Sequence, residues 1–400
     1  MAENIHTARW INQLSGTGWD VHLFPAKTAD LHPDLKNLTV HDTLYINSGR
    51  SNPNVNFLND FVPFFQSGWP LSKGAGLVRR ALSGSLRAWS ERAWRLAQLI
   101  RRLQPDIIHS LEITTPGYLV AQAKTYLDHQ LPPWLVSNWG SDIYLFSRLS
   151  WGLERIKAVM PACDYYICEC QRDVELGRAF GFKGEILGVW PGAGGFDIQS
   201  AHQFRQPGPT SSRRLIALKG YQGYAGRALV GLRAIELCAD SLRDYHIAVY
   251  SAEWEVGMAA ELVAHSTGLA IKVIPSSAHE EILRLHGRAR ISIGLSIGDA
   301  ASTSLLEAML MGSFPIQSNT SCADEWLQDG ESGLIVPPND PEPVAAAIRR
   351  AVTDDALVKL GAEINDRVVK ERLDSSVIRP QVIAMYEKVA AAHISSGKGR

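Results

Sequence analysis

Short β-branched and aliphatic runs alternate with helical patterns along almost the whole chain. In the first half the apolar runs fall at 21–24, 38–46, 106–110, 134–138, 165–168 and 185–189. In the second they fall at 215–218, 247–250, 271–274, 291–297, 314–317 and 334–336. Helical spacing fills the gaps, with a first helix predicted at 6–14 and a final one at 376–392. This alternation predicts an α/β fold with mainly parallel sheets. Pro191-Gly192-Ala193-Gly194-Gly195 and the polar stretch 206–212 read as a linker between the two series. No short repeat and no low-complexity tract interrupts the pattern.

Composition narrows the possibilities. Four hundred residues with 46% apolar content are enough for two or three well-filled domains. A formal net charge of −1 gives no global field for nucleic acid or for a strongly acidic substrate. The five cysteines (163, 168, 170, 238 and 322) form neither an even framework nor paired C-x2-C spacing, which fits a reducing cytosol. No leader peptide and no apolar run of about 18 residues is present, so a cytoplasmic protein is expected. One oddity stands at the start, where a helix precedes the first strand although doubly wound domains begin with a strand. The reading is that a strand is lost, or that in-frame coding sequence upstream of Met1 supplies it.

The richest segment is 289–338. A strand at 291–297 feeds a small polar loop, residues 298–303, which opens a helix at 304–311. That layout aims free N–H groups and the positive helix end at whatever sits before the loop, favouring phosphate. Asp299 and Glu307 lie on either side of the junction, and a carboxylate in the first helical turns can accept sugar or ribose hydroxyls. An acidic first turn is also common in ordinary α/β loops, so the spacing alone leaves both readings open. Residues 219–227, Lys-Gly-Tyr-Gln-Gly-Tyr-Ala-Gly-Arg, follow the first strand of the second half. Three glycines and two cations would let backbone approach a pyrophosphate while Lys219 and Arg227 neutralise it; a plain surface turn would look the same.

The segment resembles the E-x7-E region of family-4 retaining glycosyltransferases of GT-B fold. Ser304-Leu305-Leu306-Glu307-Ala308-Met309 and the run from Asp329-Gly330 to Gly333-Leu334-Ile335-Val336-Pro337-Pro338 carry the likeness. Two departures stand out: Asp299 replaces the usual Glu, and Ala300-Ala301-Ser302 replaces Gly-Phe-Gly. The resemblance implies two Rossmann-like doubly wound domains facing a central cleft. It places an acceptor-side domain at 1–205, a nucleotide-sugar domain at 206–375, and a helix at 376–400 that packs back on the first domain. It further implies that Glu307 binds the donor ribose and Asp299 faces the donor sugar. The diphosphate would meet Lys219, Arg227 and the N–H groups of Ala300, Ala301, Ser302, Thr303 and Ser304.

On the acceptor side, Trp139, Gly140 and Asp142 match an H-G-S-D loop with Trp139 in the His position, and His109 ends a strand as in P-D-x-I-H. Asp142 would equally serve as an Asx cap of the following helix, and His109 as a hydrogen-bonded structural residue. The expected reaction moves a sugar from a nucleotide-diphosphate-sugar to a glycan, lipid-linked or small-molecule acceptor, with retention. No D-x-D motif lies in a metal-binding context, so no metal and no cofactor beyond the co-substrate is expected. A basic helix at 77–103 (Arg79, Arg80, Arg87, Arg92, Arg95, Arg101, Arg102, with Trp89 and Trp94) suggests peripheral membrane contact at the inner face; a solvated arginine face over a core stripe accounts for the same pattern. Aromatic residues at 57–69 could form an acceptor-side loop or ordinary core. A catalytically weak nucleotide-sugar-binding scaffold and a GT-B nucleotide-sugar 2-epimerase are the alternatives.

Overall fold

The structure, a computed structural model, describes residues 4–27, 31–41, 54–58, 92–128, 131–275 and 277–395. Contacts group the chain into two units, one holding residues 1–168, 174–194 and 379–400, the other residues 169–173 and 195–378.

In the first unit, β1 (His22–Leu23), β2 (Leu38–His41) and β3 (Val55–Leu58) form one parallel sheet. β4 (Ile108–Leu111), β5 (Trp134–Ser137), β6 (Tyr165–Cys168) and β7 (Glu185–Val189) form another. Trp134, Leu135 and Val136 are fully buried, as a strand covered on both faces requires. The strand expected at 38–46 is seen as far as His41, and residues 42–46 lie outside the described residues. Strand β3 was not anticipated: its residues run directly into the aromatic stretch, although the Ser51-Asn52-Pro53-Asn54 cluster before it is a turn signal. Most of that stretch lies outside the described residues, as do positions 77–91 of the basic helix. The described part, Arg92–Leu103, buries Ala93, Leu96, Ala97, Leu99 and Ile100 along one stripe, an ordinary amphipathic helix on its core. From Arg379 onward the last helix, Ser375–Ser395, belongs to this unit. Its Tyr386 hydroxyl accepts the Trp10 indole N–H at 3.0 Å, and Gln381 accepts that of Trp190 at 2.9 Å.

The second unit is a single six-stranded parallel sheet. Its strands are β8 (Leu215–Lys219), β9 (His246–Tyr250), β10 (Ala270–Ile274), β11 (Ala289–Gly294), β12 (Phe314–Ser318) and β13 (Leu334–Val336). Their spatial order is β10-β9-β8-β11-β12-β13, which counted within the unit is 3-2-1-4-5-6. Every residue of β11 and β12 is buried, and polar ones among them are bonded inside, Ser292 to His286 and Ser313, and Gln317 to Ser321. After the 169–173 segment the second unit resumes at Gly195, ahead of the expected 206, for a physical reason. Phe196 exchanges backbone hydrogen bonds with Leu373 and Ser375, each 2.9 Å, and Thr210 donates its hydroxyl to Gly312 O at 2.6 Å. The stretch that composition marks as a linker is therefore held to the second unit. No described helix is long and apolar enough to cross a membrane.

Candidate active site

In the order 3-2-1-4-5-6 the connections reverse direction between β8 and β11, the switch point at which doubly wound sheets carry their ligand crevice, and the loops after the two strands are bridged there between Gly226 and Ser296. The crevice is flanked by residues 220–227 after β8 and 295–302 after β11. Tyr250 at the end of β9 lies in register with Lys219 at the end of β8. The topology thus gathers Lys219, Tyr250 and the start of the helix Thr303–Leu310 at one edge of the sheet.

The helix start is built for an anion. The N–H groups of residues 301 to 304 donate to nothing among the described residues, while Leu305 and Leu306 already donate to Ser302 O at 3.0 and 3.1 Å. Unsatisfied donors at a helix N-terminus carry partial positive charge and attract phosphate or carboxylate. Ala300 is the exception in the expected set, because its N–H is held by the Asp299 carboxylate at 3.0 Å. The loop is braced from beneath. Arg172 donates to Asp299 O at 2.7 Å and to Thr320 O at 3.2 Å, and Ala300 packs against Cys170 and Cys322.

Glu307 sits one turn into the helix with its side chain 7% exposed. One carboxylate oxygen is 2.7 Å from His279 Nε2. His279, the first residue of the helix His279–Arg288, stacks on Phe196 with ring centroids 6.3 Å apart. Nearby, Tyr250 has its hydroxyl pKa pushed up by burial and by the Glu307 charge, against a hydrogen bond to Ser304. His286, buried edge-on to Tyr250 at 5.3 Å, is pushed down to about 4 by burial, the Glu307 charge opposing. Tyr250 and His286 were not singled out from sequence. Each is brought to Glu307 only by strand order, and the one local sign is that Tyr250 closes a strand.

The loop after β8 departs from its sequence reading. A Cβ on Gly220 would lie 2.6 Å from Ala252 Cα, and one on Gly226 would lie 2.0 Å from Tyr221 O. The glycines therefore permit close packing of the chain on itself. The N–H groups of Gln222 and Gly223 donate to Glu253 at 3.3 and 3.0 Å, so this loop does not offer them to a phosphate. Lys219 and Arg227 are half-buried at its two ends. Arg227 donates to Asn339 Oδ1 at 2.8 Å and to Gly226 O at 2.6 Å.

In the first unit two expected site residues are committed elsewhere. Both ring nitrogens of His109 are engaged, Nδ1 with the Tyr386 hydroxyl at 2.6 Å and Nε2 with Ser137 Oγ at 2.5 Å, and burial holds its pKa down to about 3. Neither nitrogen is left to meet a substrate. Asp142 is 1% exposed and accepts the N–H groups of Ile113 and Thr114 at 2.5 and 3.1 Å. It caps the upstream turn Ile113–Gly117, not the segment that follows it. Burial and the neighbouring Glu112 charge push its pKa up. Gly140 takes φ 56°, a left-handed value that a Cβ would strain, and the half-buried Trp139 accepts the Asp142 N–H at 3.2 Å across that turn.

One cluster of ligating atoms occurs among the described residues, Cys170, Cys322 and Glu325, all within 4.8 Å of one another. The two sulfurs are 2.7 Å apart, whereas thiolates sharing one tetrahedral zinc lie roughly 3.7 Å apart. Glu325 accepts the Gln171 N–H with both oxygens, at 2.8 and 2.9 Å, capping a helix start whose positive end disfavours a cation. The geometry describes a thiol pair.

This arrangement has counterparts in known proteins. Residues 241–368 match the family of glycosyl transferases group 1, and residues 78–165 match that described as glycosyl transferase 4-like. A phosphatidyl-myo-inositol mannosyltransferase of Mycolicibacterium smegmatis is 34% identical over 99 residues, 24% of this chain and 25% of that protein. The match therefore spans about a quarter of the relative's length. Among solved structures, a sucrose-phosphate synthase from Thermosynechococcus elongatus superposes with a TM-score of 0.67 at 16% identity, covering 98% of this chain and 94% of the other. Anabaena HepE in complex with UDP superposes with a TM-score of 0.66 at 11% identity, covering 97% of each. At such identities the structures speak for the fold, and the two sequence matches each speak for the segment that they cover. The chain is similar to the group 1 glycosyltransferases over residues 241–368 and to the glycosyl transferase 4-like family over residues 78–165, and it has the GT-B fold of two Rossmann-like parts.

Proposed function

We propose that the protein transfers a sugar from a nucleotide-diphosphate-sugar to an acceptor hydroxyl, with retention and without a metal. The observation that carries this reading is the crevice between β8 and β11. There the open N–H groups of residues 301–304, the Lys219 ammonium and the buried Glu307 carboxylate meet at one sheet edge. A diphosphate fits the donors and the cation, and ribose hydroxyls fit the carboxylate. In the transition state the leaving diphosphate gains charge, which fixed N–H dipoles and a cation stabilise without reorganising. Arg227 would add to that field. Trp139 and Gly140 are the acceptor-side residues of this reading; the hydrogen bonds of His109 and Asp142 favour structural roles for those two.

The structural neighbours include HepE structures with UDP, with UDP-glucose, and with UDP and glucose, and the sequence relative is named a mannosyltransferase. These support a nucleotide-sugar donor in general and leave base and sugar to be measured. The acceptor class proposed is a glycan, a lipid-linked sugar or a small molecule.

A second reading has one observation in its favour. The Asp299 carboxylate is occupied by the N–H beside it, which suits a subunit that binds nucleotide-sugar and turns over slowly. Thermal-shift screening against uridine, guanosine, adenosine and thymidine diphosphates and their sugars tests both readings. Ligand at a hundred times its Kd stabilises by about 2.7 kcal/mol, several degrees in midpoint. No shift with any of them sinks the donor reading. A shift with neither sugar transfer nor donor hydrolysis selects the binding subunit.

A further inference from the structure

We infer that Cys170 and Cys322 form a reversible redox site: hydrogen peroxide joins them in a disulfide, and the bond stiffens the loop after β11. Neither donor nor acceptor enters into it, since the pair lies on the underside of that loop. Cys170 is 0% exposed and Cys322 4%, and their sulfurs are 2.7 Å apart although the residues stand 152 positions apart in the chain. Hydrogen bonds hold the two stretches together. Cys170 precedes the helix Gln171–Ala179, and the Gln171 N–H goes to both oxygens of Glu325. Glu325 in turn donates its own N–H to Cys322 O at 3.2 Å. Two thiols held side by side have a high effective concentration for each other, which favours the disulfide. Burial makes the reaction slow, because an oxidant must wait for local opening.

The chemistry closes with peroxide as the oxidant. Cys322, the less buried thiol, attacks one peroxide oxygen. The O–O bond breaks, the leaving hydroxide departs as water with the thiol proton, and Cys322 becomes a sulfenic acid. Contact with Cys322 and burial hold the Cys170 thiol up in pKa, which makes it the second partner. Its sulfur then attacks that of Cys322, forming the S–S bond and expelling the sulfenic oxygen as a second water with the Cys170 proton. Two thiols are oxidised by two electrons in all, and one peroxide is reduced to two waters. A thiol reductant reverses the change by exchange.

The bond would act on the loop through its neighbours. Ala300 packs against both cysteines. Arg172, two residues after Cys170, donates to Asp299 O at 2.7 Å and to Thr320 O at 3.2 Å. Thr320, two residues before Cys322, also accepts the Asp299 N–H at 3.3 Å. Joining the cysteines therefore closes a ring beneath residues 299 and 300, made of chain and of these hydrogen bonds.

The test treats wild type with hydrogen peroxide or with dithiothreitol, maps disulfides by mass spectrometry of digests, and follows amide hydrogen exchange. A peptide linked through Cys170 and Cys322 is expected after peroxide and not after dithiothreitol. The oxidised protein should melt about 5 °C higher than the reduced one. Exchange in the peptide covering 296–304 should slow about threefold or more. Cys170→Ala and Cys322→Ala should each abolish all three responses; should either variant fold poorly, the wild-type map decides by itself. Peroxide that leaves both thiols unlinked, or links another pair of cysteines, overturns the redox site. A Cys170–Cys322 bond with unchanged exchange at 296–304 overturns its action on the loop.

Discussion

Asp299 accepts the N–H of the adjacent residue, Ala300, at 3.0 Å, closing a small turn on itself at the mouth of the crevice. A side chain one methylene longer would reach past that N–H toward the crevice. Asp299→Glu is therefore expected to raise sugar transfer about threefold or more, less than 1 kcal/mol on the barrier. Asp299→Ala is expected to lower kcat with little change in nucleotide affinity. Steady-state kinetics check both; a slower Asp299→Glu variant would show that the short turn itself is needed.

Lys219 and Arg227 should not contribute equally. Arg227 already donates to Asn339 and Gly226, so part of its guanidinium is committed, whereas Lys219 ends β8 beside the helix start. Lys219→Ala is expected to weaken nucleoside diphosphate binding by about 1–2 kcal/mol and leave nucleoside binding unchanged. Arg227→Ala is expected to cost less on the same measure. Equal losses for nucleoside and diphosphate, read by calorimetry, would remove Lys219 from the phosphate role. Melting midpoints should stay close to wild type for both, since neither side chain is deeply buried.

How much was legible beforehand follows from the range of the interactions. Glu307 stands in a contiguous pattern of strand, polar loop and helix, and each of those signals lies within about ten residues of it. The parallel α/β class follows in the same way from runs such as 314–317. His109 shows the limit. Its place at a strand end is local, but its partner Tyr386 lies 277 positions away, so nothing near His109 tells a catalytic ring from a clamped one. His279 falls between these cases, since it is visible as a helix start while its meaning depends on β11 lying beside β8. The glycines of 219–227 misled for another reason. Composition registers that backbone must come close to something, and here that something is Ala252 and Tyr221 of the same chain.

Asp142 is expected to act on stability. Asp142→Ala strands the N–H groups of Ile113 and Thr114 in a buried turn, and about 2–4 kcal/mol of unfolding free energy should be lost. Asp142→Asn should lose less, because its amide oxygen keeps one of the two N–H groups. Denaturant titration of the purified variants checks the order. An Asp142→Ala variant as stable as wild type yet unable to transfer sugar would return the residue to the acceptor side.

His109 makes a pH-dependent prediction whose sign can be worked out. Its pKa is lowered to about 3 by burial, against 6.5 for the free side chain. The native state therefore binds fewer protons than the unfolded chain between those two values, and stability must fall as pH drops. Above pH 6.5 the stabilising neutral form is fully populated in both states and nothing changes. Below it, each unit of pH costs at most about 1.4 kcal/mol, and less in practice because the ring is only part-buried and solvent screens it. His109→Gln keeps a donor and an acceptor for Tyr386 and Ser137 but does not titrate. The difference in urea unfolding free energy between wild type and His109→Gln should thus shift by up to about 1 kcal/mol between pH 7.5 and 5.5, wild type losing more. A difference that stays flat across that window would mean that His109 takes up its proton as readily in the fold as in the unfolded chain, and its two hydrogen bonds would then have to be reassigned.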